Sequence, residues 1–255
     1  MNAFFSIDSV PLIAIHGWGM DASIWNPLAT ALENKVPFQA LNLPGYGGSD
    51  ALDSMSLDSV VDWLAEQFEG KCHLLAWSMG GLVAQGFALK YPERLVSLSL
   101  VGATPCFTQR PNWPYAMAVK TLAKFKASLI EDQNTTLRRF IALQFMGESA
   151  AAKIQRNLRQ SVLKQDTSQA VLALGLDWLS DIDFTIFQPT IRVPQHWMFG
   201  ELDQLVPVAV GKALQANNSA IEISYFDSTG HVPHLTQLDH FAEKLLSFLS
   251  KHTSN

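Results

Sequence analysis

The 255-residue sequence predicts an α/β protein with a mostly parallel sheet, helices on both faces of that sheet and an inserted helical cap. Two observations predict this class. Apolar strand-like runs alternate with helix-like patterns in the first and last parts of the chain, whereas the middle part has helical periodicity alone. Because strands that alternate with helices form parallel sheets, we expect a core from 1–108 and 189–255 and a cap from 109–188.

The elements follow from apolar runs separated by turns. In the first half of the core, strands are expected over 10–15, 38–43, 74–77 and 95–101, and helices over 23–32, 57–68 and 82–88. In the second half, strands are expected over 193–200 and 220–226, and helices over 206–216 and 238–251. Ser56 or the pair Leu57-Asp58 marks the start of one helix. The cap is expected to contain helices over 115–130, 135–146, 149–164 and 167–180.

Composition excludes several classes of protein. Hydrophobic residues make up 48% of the chain and charged residues 16%, which is typical of a globular protein and not of a disordered one. No apolar stretch approaches the length that crosses a bilayer, and residues 1–6 lack the basic start of a signal peptide. Cys72 and Cys106 have no disulfide or metal-ligand pattern, so we expect both in the core. The sequence predicts a cytoplasmic monomer without metal, cofactor, nucleic acid or membrane partner.

Charge is distributed unevenly along the chain. The net charge is −5, yet residues 109–188 hold ten Lys and Arg against seven Asp and Glu. Within 120–164 there are nine basic side chains and three acidic ones. A local excess of positive charge attracts acidic molecules, so this segment predicts a surface for an acidic partner. A solvated helix face is the alternative interpretation.

One serine stands at a predicted turn between a strand and a helix. The apolar run that ends at Trp77 is followed by Ser78, Met79, Gly80 and then a helical pattern. Such a sharp turn is a nucleophile elbow, which lifts the serine hydroxyl toward a base from another segment. Gly80 is expected to leave room where the helix and a strand approach closely. Ala76 departs from the motif, which usually has glycine there, and an ordinary glycine-containing helix start is the alternative.

An acid and a base follow Ser78 in the chain order that this elbow requires. Asp203 comes just after strand 193–200, and His231 just after strand 220–226. Because the carboxyl ends of parallel strands share one edge of a sheet, these residues predict a triad in which Asp203 orients His231 and His231 activates Ser78. The backbone amides of Met79 and Trp18 are expected to hold the oxyanion. Trp18 and Trp77 are expected to flank the serine as apolar walls.

Other acids and histidines fit these roles less well. Asp227 lies only four residues before His231 and is expected to compete poorly for its ring. His16 is expected to be structural, and His234 is expected to line the same rim as His231. No motif surrounds the remaining histidines, which are His73, His196, His240 and His252.

Taken together, the motifs resemble the α/β-hydrolase superfamily over the whole chain. They are His16-Gly17-Trp18-Gly19, Leu43–Ser49, Trp77–Ala84, Tyr91-Pro92-Glu93-Arg94, and Asp203 with Gly230-His231. Within the superfamily the sequence is similar to the pimeloyl-[acyl-carrier protein] methyl ester esterases of biotin synthesis. The stretches that carry this similarity are Trp77-Ser78, Thr104-Pro105-Cys106-Phe107, Trp113-Pro114 and Arg139–Gly147. Ala76 and Asn42, the latter at a commonly acidic position, depart from the family pattern.

The resemblance implies a serine carboxylesterase that needs no cofactor and removes a methyl group from a pimeloyl chain on acyl carrier protein. It implies substrate contacts by Trp18, Trp77, Ser78, Met79 and His231, and by Phe140, Ile141, Ala142, Leu143 and Gln144 of the cap. It places Arg139 and Arg156 at carrier-contacting positions, and charge alone adds Arg138, Lys153 and Arg159. The alternatives are a short-chain carboxylesterase, a carbon–carbon bond hydrolase of the same fold, and a ligand-binding module without turnover.

Overall fold

A six-stranded parallel sheet forms the centre of the molecule. The computed structural model describes residues 10–148 and 151–252. The strands are β1 (Leu12–Ile15), β2 (Phe38–Leu41), β3 (Cys72–Trp77), β4 (Leu95–Val101), β5 (Gln195–Gly200) and β6 (Glu222–Phe226). Their order across the sheet is β2-β1-β3-β4-β5-β6, and every neighbouring pair is parallel. All residues of β1, β3 and β5 are buried, as expected for strands covered on both faces.

Ten α-helices accompany the sheet in the described ranges. They are α1 (Asn26–Ala31), α2 (Leu57–Glu66), α3 (Gly80–Lys90), α4 (Val119–Glu131), α5 (Gln133–Gln144), α6 (Ala152–Val162), α7 (Gln169–Asp181), α8 (Ala209–Asn217), α9 (Pro233–Thr236) and α10 (Leu238–Lys251). The chain first runs outward from β1 to β2 and then turns back to β3 and β4. Since crossovers between parallel strands are right-handed, α1 lies on one face of the sheet and α2 and α3 lie on the other. Helix α1 packs against α10, and α2 packs against α3, which confirms the predicted fold class.

Local residue choices explain where two helices begin. Ser56 caps α2, because its hydroxyl accepts a hydrogen bond from the Ser59 amide at 3.0 Å. The predicted helix over 23–32 starts instead as a 3-10 turn at Ala22–Trp25 and becomes α-helical only at Asn26. Pro27 accounts for this difference, since proline fits the first turn of a helix but not its interior.

The structure confirms the expectation for the two cysteines, adds one short helix and does not describe some residues with predicted features. Cys72 and Cys106 are free and buried, as expected. The short helix α9 was not expected from the sequence, because four residues are too few for a periodic pattern. Residues 149 and 150 of the predicted helix 149–164 lie outside the described residues, as do residues 1–6, on which the signal-peptide expectation rests. Within the described ranges, no helix combines the length and the apolar character needed to cross a membrane.

Four helices, α4 to α7, are inserted between β4 and β5. Helix α4 packs against α5 and α7, and α5 packs against α6. The insertion sits on the carboxyl end of the sheet through Trp18, which follows β1. The Trp18 indole N–H donates to the Leu172 carbonyl of α7 at 2.7 Å, and its ring lies edge-on to Phe125 of α4 and Phe140 of α5. The helical insertion therefore covers the edge of the sheet where the predicted triad lies.

Candidate active site

Ser78 occupies a strained turn between β3 and α3. Its φ of 54° is in the left-handed region, which residues other than glycine rarely adopt and which the surrounding structure must enforce. The Ser78 amide donates to the Val101 carbonyl of β4 at 2.9 Å. A Cβ on Gly80 would lie 2.5 Å from the His16 carbonyl oxygen, so only glycine fits there, as expected. Ala76 is buried within β3 and pairs with Ile15 and Leu100, so the turn forms with alanine at that position.

Asp203 and His231 form a buried pair. His231 Nδ1 lies 2.7 Å from Asp203 Oδ2, and neither side chain is accessible to solvent. The other carboxylate oxygen of Asp203 accepts hydrogen bonds from the amides of Leu205 and Val206, at 2.7 and 2.9 Å. Because both oxygens are engaged, the carboxylate is fixed in orientation and holds the proton of the His231 ring at Nδ1.

The opposite ring nitrogen of His231 is left without a partner. Nε2 is buried and makes no hydrogen bond to any group in residues 10–148 and 151–252. A buried, unsatisfied acceptor costs free energy, and such groups are commonly functional. With Nδ1 protonated against Asp203, Nε2 is an acceptor, which is the state a general base requires.

The acid and histidine loops touch directly. Gly200 ends β5, and a Cβ on it would lie 1.9 Å from the Gly230 carbonyl oxygen. The Leu202 amide donates to the Thr229 carbonyl at 2.8 Å, which joins the loop of Asp203 to the loop of His231. Asp227, in contrast, is exposed, and the imidazole is bonded to Asp203 instead. The expectation that Asp227 competes poorly is in agreement with this geometry.

Trp77, the last residue of β3, supports the histidine loop through a hydrogen bond. Its indole N–H donates to the carbonyl of His231 at 2.9 Å, and its ring packs against His231 and His234. This contact adds a positioning role to the substrate wall predicted from the sequence. His234 does not line the rim as expected, because it is fully buried against Trp25, Trp77 and Phe241. Burial, together with the neighbouring His231, lowers the pKa of His234 to about 3, so its ring is neutral.

His16 is a structural residue, as expected. Its Nδ1 donates to the Gly17 carbonyl at 2.8 Å, and its Nε2 accepts from the Leu43 amide at 3.0 Å. Burial lowers the pKa of His16 to about 4, which keeps Nε2 unprotonated and able to accept. Two of the other histidines hydrogen-bond to serines of neighbouring strands, His73 to Ser97 and His196 to Ser224.

The two predicted oxyanion donors are unused. Met79 directly precedes α3, where amides carry partial positive charge, and Trp18 lies in the turn after β1. Neither backbone amide donates to an acceptor within the described part of the chain. Both are therefore available for a developing negative charge. Their assignment as the oxyanion hole stays a prediction.

The cap residues predicted to contact substrate differ in exposure. Phe140, Ile141 and Gln144 are buried, Leu143 is partly buried, and Ala142 is exposed. The Phe140 ring lies 4.9 Å from that of Trp18. Both polar atoms of the Gln144 side chain are buried without a hydrogen-bond partner among the described residues. An unpaired buried amide is costly, so Gln144 is suited to hydrogen-bond a ligand.

A cleft of about 630 Å³ separates α4 from α5. Its lining residues are Thr121, Lys124, Phe125, Ser128, Thr136, Arg139, Ala142, Leu143 and Met146. Phe125, which lines this cleft, also contacts the Trp18 ring, so one residue joins the cleft lining to the turn after β1. The Thr136 hydroxyl is buried and makes no hydrogen bond to a described residue. The cleft combines an apolar lining with two cations.

The five predicted carrier-binding cations are all exposed. Arg138 and Arg139 lie on α5, and Lys153, Arg156 and Arg159 lie on α6. None of them forms a salt bridge with an acid of residues 10–148 or 151–252, as the described ion pairs lie elsewhere. Residues three apart share a face of a helix, so the three cations of α6 lie on one face. Ile154 and Leu158 lie on the opposite face and line a groove against residues of the core, among them Ile24.

Sequence comparison agrees with this geometry. The model of the alpha/beta hydrolase family matches residues 12–243. The chain belongs to this family. Curated relatives within it are named pimeloyl-[acyl-carrier protein] methyl ester esterase. One from Vibrio vulnificus is 34% identical over 94% of both chains, and one from Aeromonas salmonicida is 36% identical over 93% of this chain and 94% of its own.

Solved structures of the alpha/beta hydrolase family share the architecture. An esterase from Exiguobacterium antarcticum superposes with a TM-score of 0.85 at 24% identity, covering 94% of this chain and 92% of its own. An enol-lactonase from Burkholderia xenovorans LB400 gives a TM-score of 0.83 at 16% identity, covering 95% and 92%. Structures of such low identity, with different named activities, establish the fold alone.

The structure accommodates both departures from the family pattern, Asn42 and Ala76. The Asn42 side chain accepts a hydrogen bond from the Ala22 amide at 2.7 Å and donates one to the Gly47 carbonyl at 2.9 Å. An ionised carboxylate could make only the first of these bonds, so asparagine fits this loop pairing. Ala76 leaves the serine turn intact, as described above.

Sequence reasoning missed the groups that hold the histidine loop. They are the Trp77 indole N–H, the Gln144 carbonyl and the carboxylate of Glu148. Their partners lie 154, 87 and 82 residues away along the chain, and no local pattern connects such distant groups. A glycine directly before the predicted base, Gly230, was the available signal of a crowded backbone.

Proposed function

We propose that this chain is a serine carboxylesterase that hydrolyses the methyl ester of pimeloyl-[acyl-carrier protein] in biotin biosynthesis. The observation that carries the proposal is the buried Asp203–His231 pair, in which His231 Nε2 has no hydrogen-bond partner among the described residues. Trp77, the residue before Ser78, donates a hydrogen bond to the carbonyl of this histidine. Relatives that bear this name and align over more than nine-tenths of both chains support the choice of substrate.

The proposed mechanism uses the triad in two half-reactions. His231 Nε2 takes the Ser78 proton as Oγ attacks the ester carbonyl, while Asp203 holds the Nδ1 proton and stabilises the charged ring. The Trp18 and Met79 amides hold the oxyanion. Its collapse breaks the bond to the methoxy oxygen, and His231 returns the proton so that methanol leaves. Water activated by His231 then attacks the acyl-serine, and the free carboxylic acid and Ser78 are released.

The α4–α5 cleft supports entry of the substrate from the cap surface. A carrier-linked substrate must pass a long, thin arm to the serine while the carrier protein stays outside. The cleft has an apolar lining, and its residue Phe125 contacts Trp18, the residue that supplies a predicted oxyanion amide. Gln144, with its unpaired amide, and Phe140 are the cap residues we expect along this path.

The positive charge of the exposed side chains on α5 and α6 supports an acidic carrier protein as the partner. The exposed cations of α5 and α6 form no salt bridge with an acid of residues 10–148 and 151–252, although the whole chain has a net charge of −5. Cations on one face raise the rate of encounter with an acidic protein more than they change the chemistry. Each exposed ion pair contributes only about 0.2–1 kcal/mol, so several are needed for a measurable effect.

The same proposal includes the organisation of the chain. We take residues 109–188 as the cap and residues 1–108 with 189–255 as the core, working as a monomer in the cytoplasm. The helical insertion between β4 and β5 supports this division. The triad would come from the core, whereas the carrier surface would come from the cap.

The direct experiment is product analysis with carrier-linked methyl ester. Mass spectrometry should show loss of the methyl group with wild-type protein and none with Ser78→Ala, and a phosphonate ester should label Ser78. Equal turnover of free monomethyl pimelate would favour a short-chain carboxylesterase. A wild-type protein that turns over neither ester would favour a carbon–carbon bond hydrolase or a binding module. Turnover by Ser78→Ala, or labelling of another serine, would overturn the mechanism.

A further inference from the structure

We propose that Glu148, in the turn that follows the cap helix α5, is a positioning residue that holds the loop of the catalytic histidine. The inference rests on the proposed ester hydrolysis at Ser78. It concerns a contact between the cap and the core: Glu148 follows α5, whereas Gly230 and His231 follow β6.

Two consecutive amides of the histidine loop donate to acceptors at the last residue of α5 and in the turn that follows it. The Gly230 amide donates to Glu148 Oε1 at 2.5 Å, and the His231 amide donates to the Gln144 carbonyl at 2.8 Å. A hydrogen bond to a carboxylate is charge-assisted and stronger than one between neutral groups. The backbone of His231 is thus fixed by two acceptors of the cap, while Trp77 holds its carbonyl from the core side.

The fit at this contact is tight. A Cβ on Gly230 would lie 2.4 Å from the Gln144 carbonyl oxygen and 2.9 Å from Glu148 Oε1. The same turn of the cap also reaches the loop of the triad acid, since a Cβ on Gly147 would lie 2.9 Å from Leu202 Cδ1. One turn of the cap therefore touches both loops that carry the Asp203–His231 pair, and displacing it would displace the pair.

Helix α5 connects this contact to the outer surface of the cap. Arg138 and Arg139 are exposed on α5, and Phe140 packs against Trp18. A rigid helix transmits a shift along its length, so the position of α5 on the core sets the position of the His231 backbone. Glu148 makes the link through a side chain that can be changed without altering the triad, whereas the Gln144 link is a backbone carbonyl.

The test compares three proteins with a small nitrophenyl ester, which does not require the carrier. Glu148→Ala removes the acceptor, Glu148→Gln keeps a neutral acceptor oxygen of similar reach, and Glu131→Ala removes an exposed cap carboxylate as the control. We expect Glu148→Ala to lower kcat by about 10- to 100-fold, because small displacements of catalytic groups have effects of this size. KM should stay near its wild-type value, whereas Tm should fall slightly because the Gly230 amide loses its acceptor. Glu148→Gln should recover most of kcat, and the rate of phosphonate labelling of Ser78 should follow kcat.

Several outcomes would overturn the proposal. They are a wild-type kcat in Glu148→Ala, an equal loss in Glu131→Ala, or a loss in Glu148→Gln as large as in Glu148→Ala. If Glu148→Ala does not fold, Glu148→Asp decides, since its shorter carboxylate is withdrawn from Gly230. A folded Glu148→Asp with wild-type kcat would also overturn the role. A wild-type protein without turnover or labelling would instead contradict the proposed function, which keeps the two failures distinct.

Discussion

At the scale of the residue, Asp203 and Asp227 are the two acids weighed as partners of the catalytic histidine, and only Asp203 is bonded to its ring. Asp203→Asn should lower kcat by about 10⁴-fold, because the amide stabilises the wrong tautomer of the histidine. Asp227→Asn should leave kcat nearly unchanged, since this residue is exposed and the ring is bonded to Asp203 instead. Steady-state kinetics on a nitrophenyl ester checks both variants. A larger loss in Asp227→Asn would make the assignment of the acid wrong.

Gly200 offers a second prediction at this scale. Its missing side chain lets the acid loop touch the histidine loop, since a Cβ would lie 1.9 Å from the Gly230 carbonyl oxygen. Gly200→Ala should therefore lower the free energy of unfolding by about 1–3 kcal/mol, as overpacking does, and should lower kcat as well. Gly48→Ala is the control, because that site has a φ of 81° but open space around it. Gly48→Ala should lower the free energy of unfolding without lowering kcat. Urea unfolding and steady-state kinetics measure both variants. A wild-type kcat in Gly200→Ala would refute the close contact.

At the scale of the element, the cap helices α5 and α6 present a cationic face that the fold itself does not use. Changing Arg138, Arg139, Arg156 and Arg159 together to Glu should raise KM for carrier-linked ester severalfold. Hydrolysis of a nitrophenyl ester should hardly change, because a small ester does not contact this face.

A matched control separates local charge from net charge. Changing Lys35, Lys71, Lys212 and Lys244, four exposed lysines of the core, to Glu gives the same change in net charge away from the cap. This variant should keep a KM near that of the wild type for carrier-linked ester. Equal losses in both variants, or equal losses on both substrates, would show that the cap arginines do not form a specific carrier surface.

At the scale of the whole molecule, buried neutral histidines make stability depend on pH. Burial lowers the pKa of His16, His73 and His196 to about 4 and that of His234 to about 3. In the unfolded chain these groups titrate near 6.5, so between pH 6.5 and 4 the unfolded state binds more protons. The free energy of unfolding should therefore fall as the pH is lowered through this window.

His234 allows this to be tested at one site. Between pH 7 and 5, the titration of His234 should lower the free energy of unfolding by about 2 kcal/mol, because each pKa unit corresponds to about 1.36 kcal/mol. His234→Phe should suit the surrounding Trp25, Trp77 and Phe241 and should reduce the loss by about that amount. Urea unfolding at both pH values measures the effect, with His240→Gln, an exposed histidine, as the control. An unchanged loss in His234→Phe would contradict the explanation.

Much of the fold could be predicted from the sequence because its signals are local. The strand and the turn at Ser78 lie within ten residues, and the chain order of Asp203 and His231 follows from a parallel sheet. The support of His231 could not be predicted, since Glu148 and Trp77 reach it from distant parts of the chain. The short distance in sequence between His234 and His231 predicts a place at the rim, whereas the burial of His234 depends on aromatic residues from three other segments.

The central claim is that the cap selects a carrier-linked ester for the triad of the core. The most direct measurement compares kcat/KM for the methyl ester of pimeloyl-[acyl-carrier protein] with that for free monomethyl pimelate, each at low and high salt. We predict a higher kcat/KM for the carrier-linked ester and a fall of this value alone at high salt, because salt screens exposed charges. Equal values for the two esters, with the same response to salt, would contradict the account.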